Sequence, residues 1–194
     1  MMRILCLVAL LILAGCASAP KQVNNACAIF DQRDGWINNW HSAAQKTSRE
    51  FGVPIPVLMA TIYTESSFRP YARPPRTKLL GFIPWKRQST AYGFSQALNG
   101  TWDRYRRETG RSGASRSNFN DAIHFIGWYH YQSYRTNGIA RNDAYNLYLA
   151  YHSGHGGYSR GVWRNSSVAK NGAKRTADMA KRYTVQLRSC GRLG

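Results

Sequence analysis

Glycines at positions 52, 110, 138 and 154 each close a helix-length stretch of the chain. Glycine is the residue best suited to the left-handed position just past a helix C-terminus. Pro56 suits the first turn of a helix, where its missing N–H costs nothing. This punctuation predicts helices over 34–51, 56–66, 101–109, 120–136, 143–152 and 167–188. Period-two alternation is scarce, apart from room for a small hairpin inside a basic loop at 69–90. The fold class expected is therefore mainly α with a small β hairpin or loop element. With 194 residues the chain can bury one real core, and a single domain is expected.

The first residues are set apart from that domain. Arg3 precedes an apolar run over 4–13, followed by Ala14 and Gly15. A run of this length fits the apolar region of an export signal and is too short for a spanning helix of about 20 residues. Leu13-Ala14-Gly15-Cys16 resembles the lipobox of bacterial lipoproteins, which implies cleavage before Cys16 and its acylation. The expected organisation is a signal peptide at 1–15, a polar tether at 16–26 and a folded domain at 27–194. Of the four cysteines, Cys6 falls in the leader and Cys16 takes the lipid. Cys27 and Cys190 remain, and in an oxidising compartment they are expected to form a disulfide. The alternative is two unrelated buried thiols.

The formal net charge is +18, a field that attracts polyanions. In a cytosolic protein nucleic acid would be the first partner to consider. Export changes the candidates to anionic envelope polymers, peptidoglycan or lipopolysaccharide, and charge alone does not choose between them.

Three glutamates lie beyond the leader, at positions 50, 65 and 108. On the predicted helix over 56–66, Leu58, Ile62 and Glu65 share one face. A carboxylate at the edge of an apolar face is pushed toward its neutral form, as an acid that must protonate a leaving oxygen requires. Periodicity alone equally allows Glu65 to cap a fraying helix end and face solvent. The neighbouring residues favour the acid. Thr64-Glu65-Ser66-Ser67-Phe68 with Pro70 and Ala72 resembles the Glu-Ser-x-Phe-x-Pro-x-Ala block of bacterial lytic transglycosylases related to goose-type lysozyme. Ala91-Tyr92-Gly93-Phe94-Ser95-Gln96 is similar to that family's Gly-Leu-Met-Gln block, and Ala150-Tyr151-His152-Ser153-Gly154 to its Ala-Tyr-Asn-Ala-Gly block.

The resemblance implies a lysozyme-like SLT domain in which Glu65 is the single catalytic acid/base. It implies glycan contacts at Tyr92, Phe94, Gln96, Tyr151 and His152, with the Tyr151 hydroxyl meeting the catalytic carboxyl. Gly93 and Gly154 match glycines that let backbone approach the groove. The chain departs from the pattern at Pro74, where the family has a serine, and Ser89 or Thr90 is expected to supply that hydroxyl. It departs again at Ser95 and His152, in place of Met and Asn. One acid implies that the substrate's N-acetyl group stands in for the second carboxylate that glycosidases usually have. The product would be a 1,6-anhydro-MurNAc end, whereas water as acceptor would make the same site a lysozyme.

An insertion over 73–87 places Arg73, Arg76, Lys78, Lys86 and Arg87 around Leu79-Leu80-Gly81-Phe82-Ile83-Pro84-Trp85. It reads as a flap over the groove, a patch dipping into a membrane surface, or a loop whose apolar middle packs on the domain. His152 and His155 are too few for a zinc site, and no metal or cofactor is expected. No Gly-x-Ser-x-Gly elbow supports a serine nucleophile. Trp128, Tyr129, Tyr131 and Tyr134 fall at helical spacing and read as core. The expected partners are peptidoglycan strands and a membrane through the lipid, with no nucleic acid, and the expected state is a monomer. Ala17 after the lipid-bearing Cys resembles the sorting of lipoproteins to the periplasmic face of the outer membrane. The rival reading is a non-catalytic peptidoglycan-binding lipoprotein.

Overall fold

The computed structural model describes residues 19–35 and 39–193. The expected leader, Cys16 and Ala17 lie outside the described residues. Eight α-helices and one two-stranded hairpin are present among the described residues: α1 (Ala26–Arg33), α2 (Trp40–Phe51), α3 (Ile55–Ser66), β1 (Arg76–Leu79), β2 (Ile83–Arg87), α4 (Asn99–Thr109), α5 (Phe119–Asn137), α6 (Ala144–Ser153), α7 (His155–Ser159) and α8 (Ser167–Ser189). A 3-10 turn, Val162–Asn165, precedes α8. None of these helices is long and apolar enough to cross a membrane.

Local chemistry sets the boundaries. Asn39, Asn118, Asp143 and Ser166 each accept a backbone N–H of the first turn they open, which satisfies donors that a helix leaves unpaired. Gly52, Gly110 and Gly138 take the left-handed conformation that ends α2, α4 and α5. The helix expected from residue 34 begins only at Trp40. Asp34 instead pairs with Asn39 in an isolated antiparallel bridge, and its carboxylate accepts the His41 N–H at 3.0 Å. Helix α1 was not legible, because its sequence shows no amphipathic period. It forms because Ala26, Ile29 and Phe30 are buried and the Ala26 N–H donates to the Gln186 side chain of α8.

Helix α3 is apolar on all sides from Ile55 to Ile62 and is accordingly enclosed. Helix α8 packs against α3 and α6, and α2 packs against α5. Full burial of Leu58, Met59 and Ile62 stabilises the fold by about 1.5–3 kcal/mol for each side chain. Cys27 and Cys190 form a disulfide spanning 163 positions of sequence, joining α1 to the end of α8. Closing a loop of that size removes chain entropy worth about 5 kcal/mol in the unfolded state. The Tyr183 hydroxyl donates to the Val23 carbonyl, so the segment expected as a tether is already docked on α8 at Val23.

Candidate active site

Glu65 is the penultimate residue of α3. The residues after it turn sharply, with Ser67 at φ 50° and Phe68 at φ 58°. Two successive non-glycine residues in the left-handed region cost of order 1–3 kcal/mol each. They persist because Phe68 is fully buried and stacks on Trp40 with ring centroids 6.1 Å apart. Trp40 also lies flat on Phe119 at 3.8 Å and meets the edge of Phe94 at 5.5 Å. One aromatic cluster therefore holds the turn after Glu65 and the 91–96 loop in fixed relation. The Phe94 ring, expected to contact glycan, is an element of this core and is only 3% exposed.

The 91–96 loop is tied to the Glu65 turn by hydrogen bonds. Gly93 N–H donates to the Ala72 carbonyl at 3.0 Å. The Gln96 side-chain amide donates to the carbonyls of Ala72 at 2.9 Å and Gly93 at 2.8 Å. Gln96 thus fastens the two loops through its NH₂ group. Gly93 has φ +76°, and a Cβ there would fall on the Arg116 carbonyl. The Arg73 and Arg116 guanidiniums lie 4.2 and 5.3 Å from the Tyr92 ring centre. Ser89 is exposed, and its hydroxyl accepts the Ala91 N–H.

Glu65 is partly buried at the end of α3, and its carboxyl is strongly desolvated by the protein around it. Desolvation raises its pKa from 4.5 to about 7, against the lowering effects of a hydrogen bond from Tyr148 and the positive charge of Arg175. Burial favours the protonated carboxyl, while the hydroxyl and the guanidinium favour the carboxylate. The Tyr148 hydroxyl is itself raised, chiefly by burial and then by Glu65. Tyr151 lies close enough to Glu65 to be raised by its charge as well as by burial. Its hydroxyl donates to the Ser95 carbonyl at 2.5 Å. His152 is exposed beside Tyr148, with ring centroids 6.2 Å apart.

Two of these groups escaped the sequence reading. Tyr148 stands three residues before Tyr151 on α6, so helical spacing could have placed both on one side of the site. Nothing in sequence marks Arg175, which is brought in by α8. The Thr176 hydroxyl donates to that of Thr64 at 2.8 Å, fixing α8 against the residue preceding Glu65. One turn earlier on α3, the Thr61 hydroxyl donates to Val57 and lies 2.9 Å from His130 Nε2. His130 is buried, which lowers its pKa to about 3, and its neutral ring packs 5.7 Å from Tyr151.

A family model described as Transglycosylase SLT domain matches residues 4–190. The chain belongs to the transglycosylase SLT domain family. Among curated proteins no match is found. The helical architecture with one small hairpin is the lysozyme-like fold of an SLT domain, and such domains act on peptidoglycan by transglycosylase-type chemistry. In this SLT domain the three sequence blocks converge on the C-terminal end of α3. A cavity of about 700 Å³ lined by Pro54, Ile55, Ala144, Tyr145, Ala180 and Leu193 lies at the opposite end of that helix. That is roughly 15 Å along the axis from Glu65. No group of three or more His, Cys, Asp or Glu side chains is arranged to hold a metal among the described residues.

Proposed function

We propose that this SLT domain is a lytic transglycosylase that cleaves the β-1,4 bond between MurNAc and GlcNAc, with Glu65 as its single acid/base. The observation that carries the reading is the place of Glu65, desolvated at the end of α3 where the three sequence blocks meet. Its carboxyl is poised at about 7 by burial, Tyr148 and Arg175, with no second carboxylate among the groups that act on it. In the first step Glu65 protonates the glycosidic oxygen as the substrate's N-acetyl oxygen attacks the anomeric carbon. The resulting carboxylate is held by Tyr148 and Arg175. It then takes the proton of the MurNAc 6-hydroxyl, whose oxygen displaces the N-acetyl group and closes the 1,6-anhydro ring. Each turnover returns Glu65 to its protonated form and consumes no water.

Digestion of purified sacculi in ¹⁸O-enriched water tests the outcome. Anhydro-muropeptides without ¹⁸O are expected. Reducing ends carrying ¹⁸O would make the enzyme a lysozyme-like hydrolase on the same bond. Sacculus binding without release would leave a non-catalytic binding lipoprotein. Export, acylation of Cys16 and residence at the periplasmic face of the outer membrane belong to the same proposal, as do the monomeric state and the absence of a nucleic-acid partner. Metabolic labelling with a palmitate analogue, beside Cys16→Ser, tests the anchor.

A further inference from the structure

In the β1–β2 hairpin, three of the large apolar side chains stand off the domain rather than packing on it. Leu80 is 77% exposed, Phe82 71% and Trp85 50%. These residues surround a tight turn at Leu80 and Gly81, both with positive φ. Arg76, Lys78, Lys86 and Arg87 stand exposed along the two strands. No carboxylate pairs with any of them among the described residues. The register sets Arg76 opposite Arg87, a like-charge pair whose guanidiniums donate to the Trp85 and Pro74 carbonyls.

We propose that this hairpin is a membrane-contact element. Leu80, Phe82 and Trp85 enter the interfacial layer of an anionic bilayer, and Arg76, Lys78, Lys86 and Arg87 meet lipid phosphates. Exposed apolar side chains at a tip with a basic collar are the arrangement such interfaces favour, with tryptophan at the headgroup level. The occupant is lipid rather than glycan because of what stands at the tip, and acceptor groups are scarce along the strands. From residue 76 to 87 there is no Asp, Glu, Asn or Gln, and the one hydroxyl, that of Thr77, is bonded to the Lys86 carbonyl. The Arg, Lys and Trp85 N–H groups could also donate to a sugar, but the exposed aliphatic Leu80 beside Phe82 at the turn has no use for a glycan and suits acyl chains. The apolar run over 4–13 also lies a few residues before the first described position, so a bilayer near this end of the chain is consistent with the whole sequence. The inference does not rest on the chemistry of Glu65.

The test uses the full chain with Cys6→Ser and Cys16→Ser, so that the Cys27–Cys190 disulfide leaves no free thiol. Phe82→Cys then carries an environment-sensitive NBD probe, with Ser112→Cys, at an exposed site outside the hairpin sequence, as reference. On vesicles of phosphatidylglycerol and phosphatidylcholine, the probe at 82 is expected to shift to the blue and to be quenched by nitroxide-labelled lipids. The probe at 112 should do neither. Changing Arg76, Lys78, Lys86 and Arg87 to Gln should weaken the response to anionic lipid by about fivefold for each charge near the surface. Emission at 82 matching that at 112 on these vesicles would overturn the proposal. So would an equal response on pure phosphatidylcholine, a response to solubilised glycan strands and not to lipid, or a concentration-dependent shift without vesicles, which would indicate a second copy of the chain.

Discussion

Replacing Glu65 by Gln should stabilise the protein at high pH and leave it nearly unchanged at low pH. The folded-state pKa of Glu65 is about 7, above its ordinary value of 4.5, with desolvation as the main cause. The native state therefore holds this proton more tightly than the unfolded state. Its contribution to stability is intact below about 4.5, declines as pH rises, and is lost above about 7. A shift of that size corresponds to roughly 3.4 kcal/mol, and the remaining solvent contact of the residue reduces the figure to about 2–3 kcal/mol. Gln keeps the shape and cannot ionise, so the difference between variant and wild type isolates this one group.

Urea unfolding followed by tryptophan fluorescence at several pH values between 4.5 and 8 measures it. Glu65→Gln should match the wild type at pH 4.5 and exceed it by about 2–3 kcal/mol at pH 8. In thermal melts at pH 8 the gain should be roughly 4–12 °C for a chain of this size. A difference that stays flat across this range would refute the reasoning. It would mean that Glu65 is hydrated and titrates like an ordinary surface carboxylate.

Other consequences are as specific. Tyr148→Phe removes a hydrogen bond that favours the Glu65 carboxylate; the alkaline limb of the pH–activity profile should move up by about one pH unit, with kcat reduced about tenfold or more. Gly172→Ala places a Cβ 2.5 Å from the Tyr148 ring, so it should displace that ring and reproduce the shifted pH profile although residue 172 lies outside the sequence blocks. Reduction of Cys27–Cys190, or its replacement by serines, should lower stability by up to about 5 kcal/mol in urea titrations, with the pH dependence of activity unchanged. Gly93→Ala forces a side chain onto the Arg116 carbonyl at positive φ and should reduce sacculus digestion more than tenfold while circular dichroism stays helical.

The helical frame was legible because its punctuation is local: Gly52, Gly110 and Gly138 end helices by conformation alone, and Asp143 opens one through its own carboxylate. Helix α1 and the late start of α2 were not, since one depends on α8 across the molecule and the other on a bridge between Asp34 and Asn39. At the candidate site, the blocks named Glu65 and the loops that the fold brings beside it. They did not carry the contacts that hold those loops together. Phe94 belongs to the aromatic cluster, the Gln96 amide fastens two loops, and Tyr148 reaches the Glu65 carboxyl. These assignments depend on which helix lies opposite, and motif spacing does not carry that information.

The central claim is that the Glu65 carboxyl is the acid that cuts glycan strands. Its most direct test is sacculus digestion by the wild type and by Glu65→Gln side by side, with soluble muropeptides quantified by mass. Anhydro-muropeptides released by the wild type and absent with a folded, sacculus-binding Glu65→Gln are the predicted result. Equal release by both proteins would place the acid elsewhere and contradict the account.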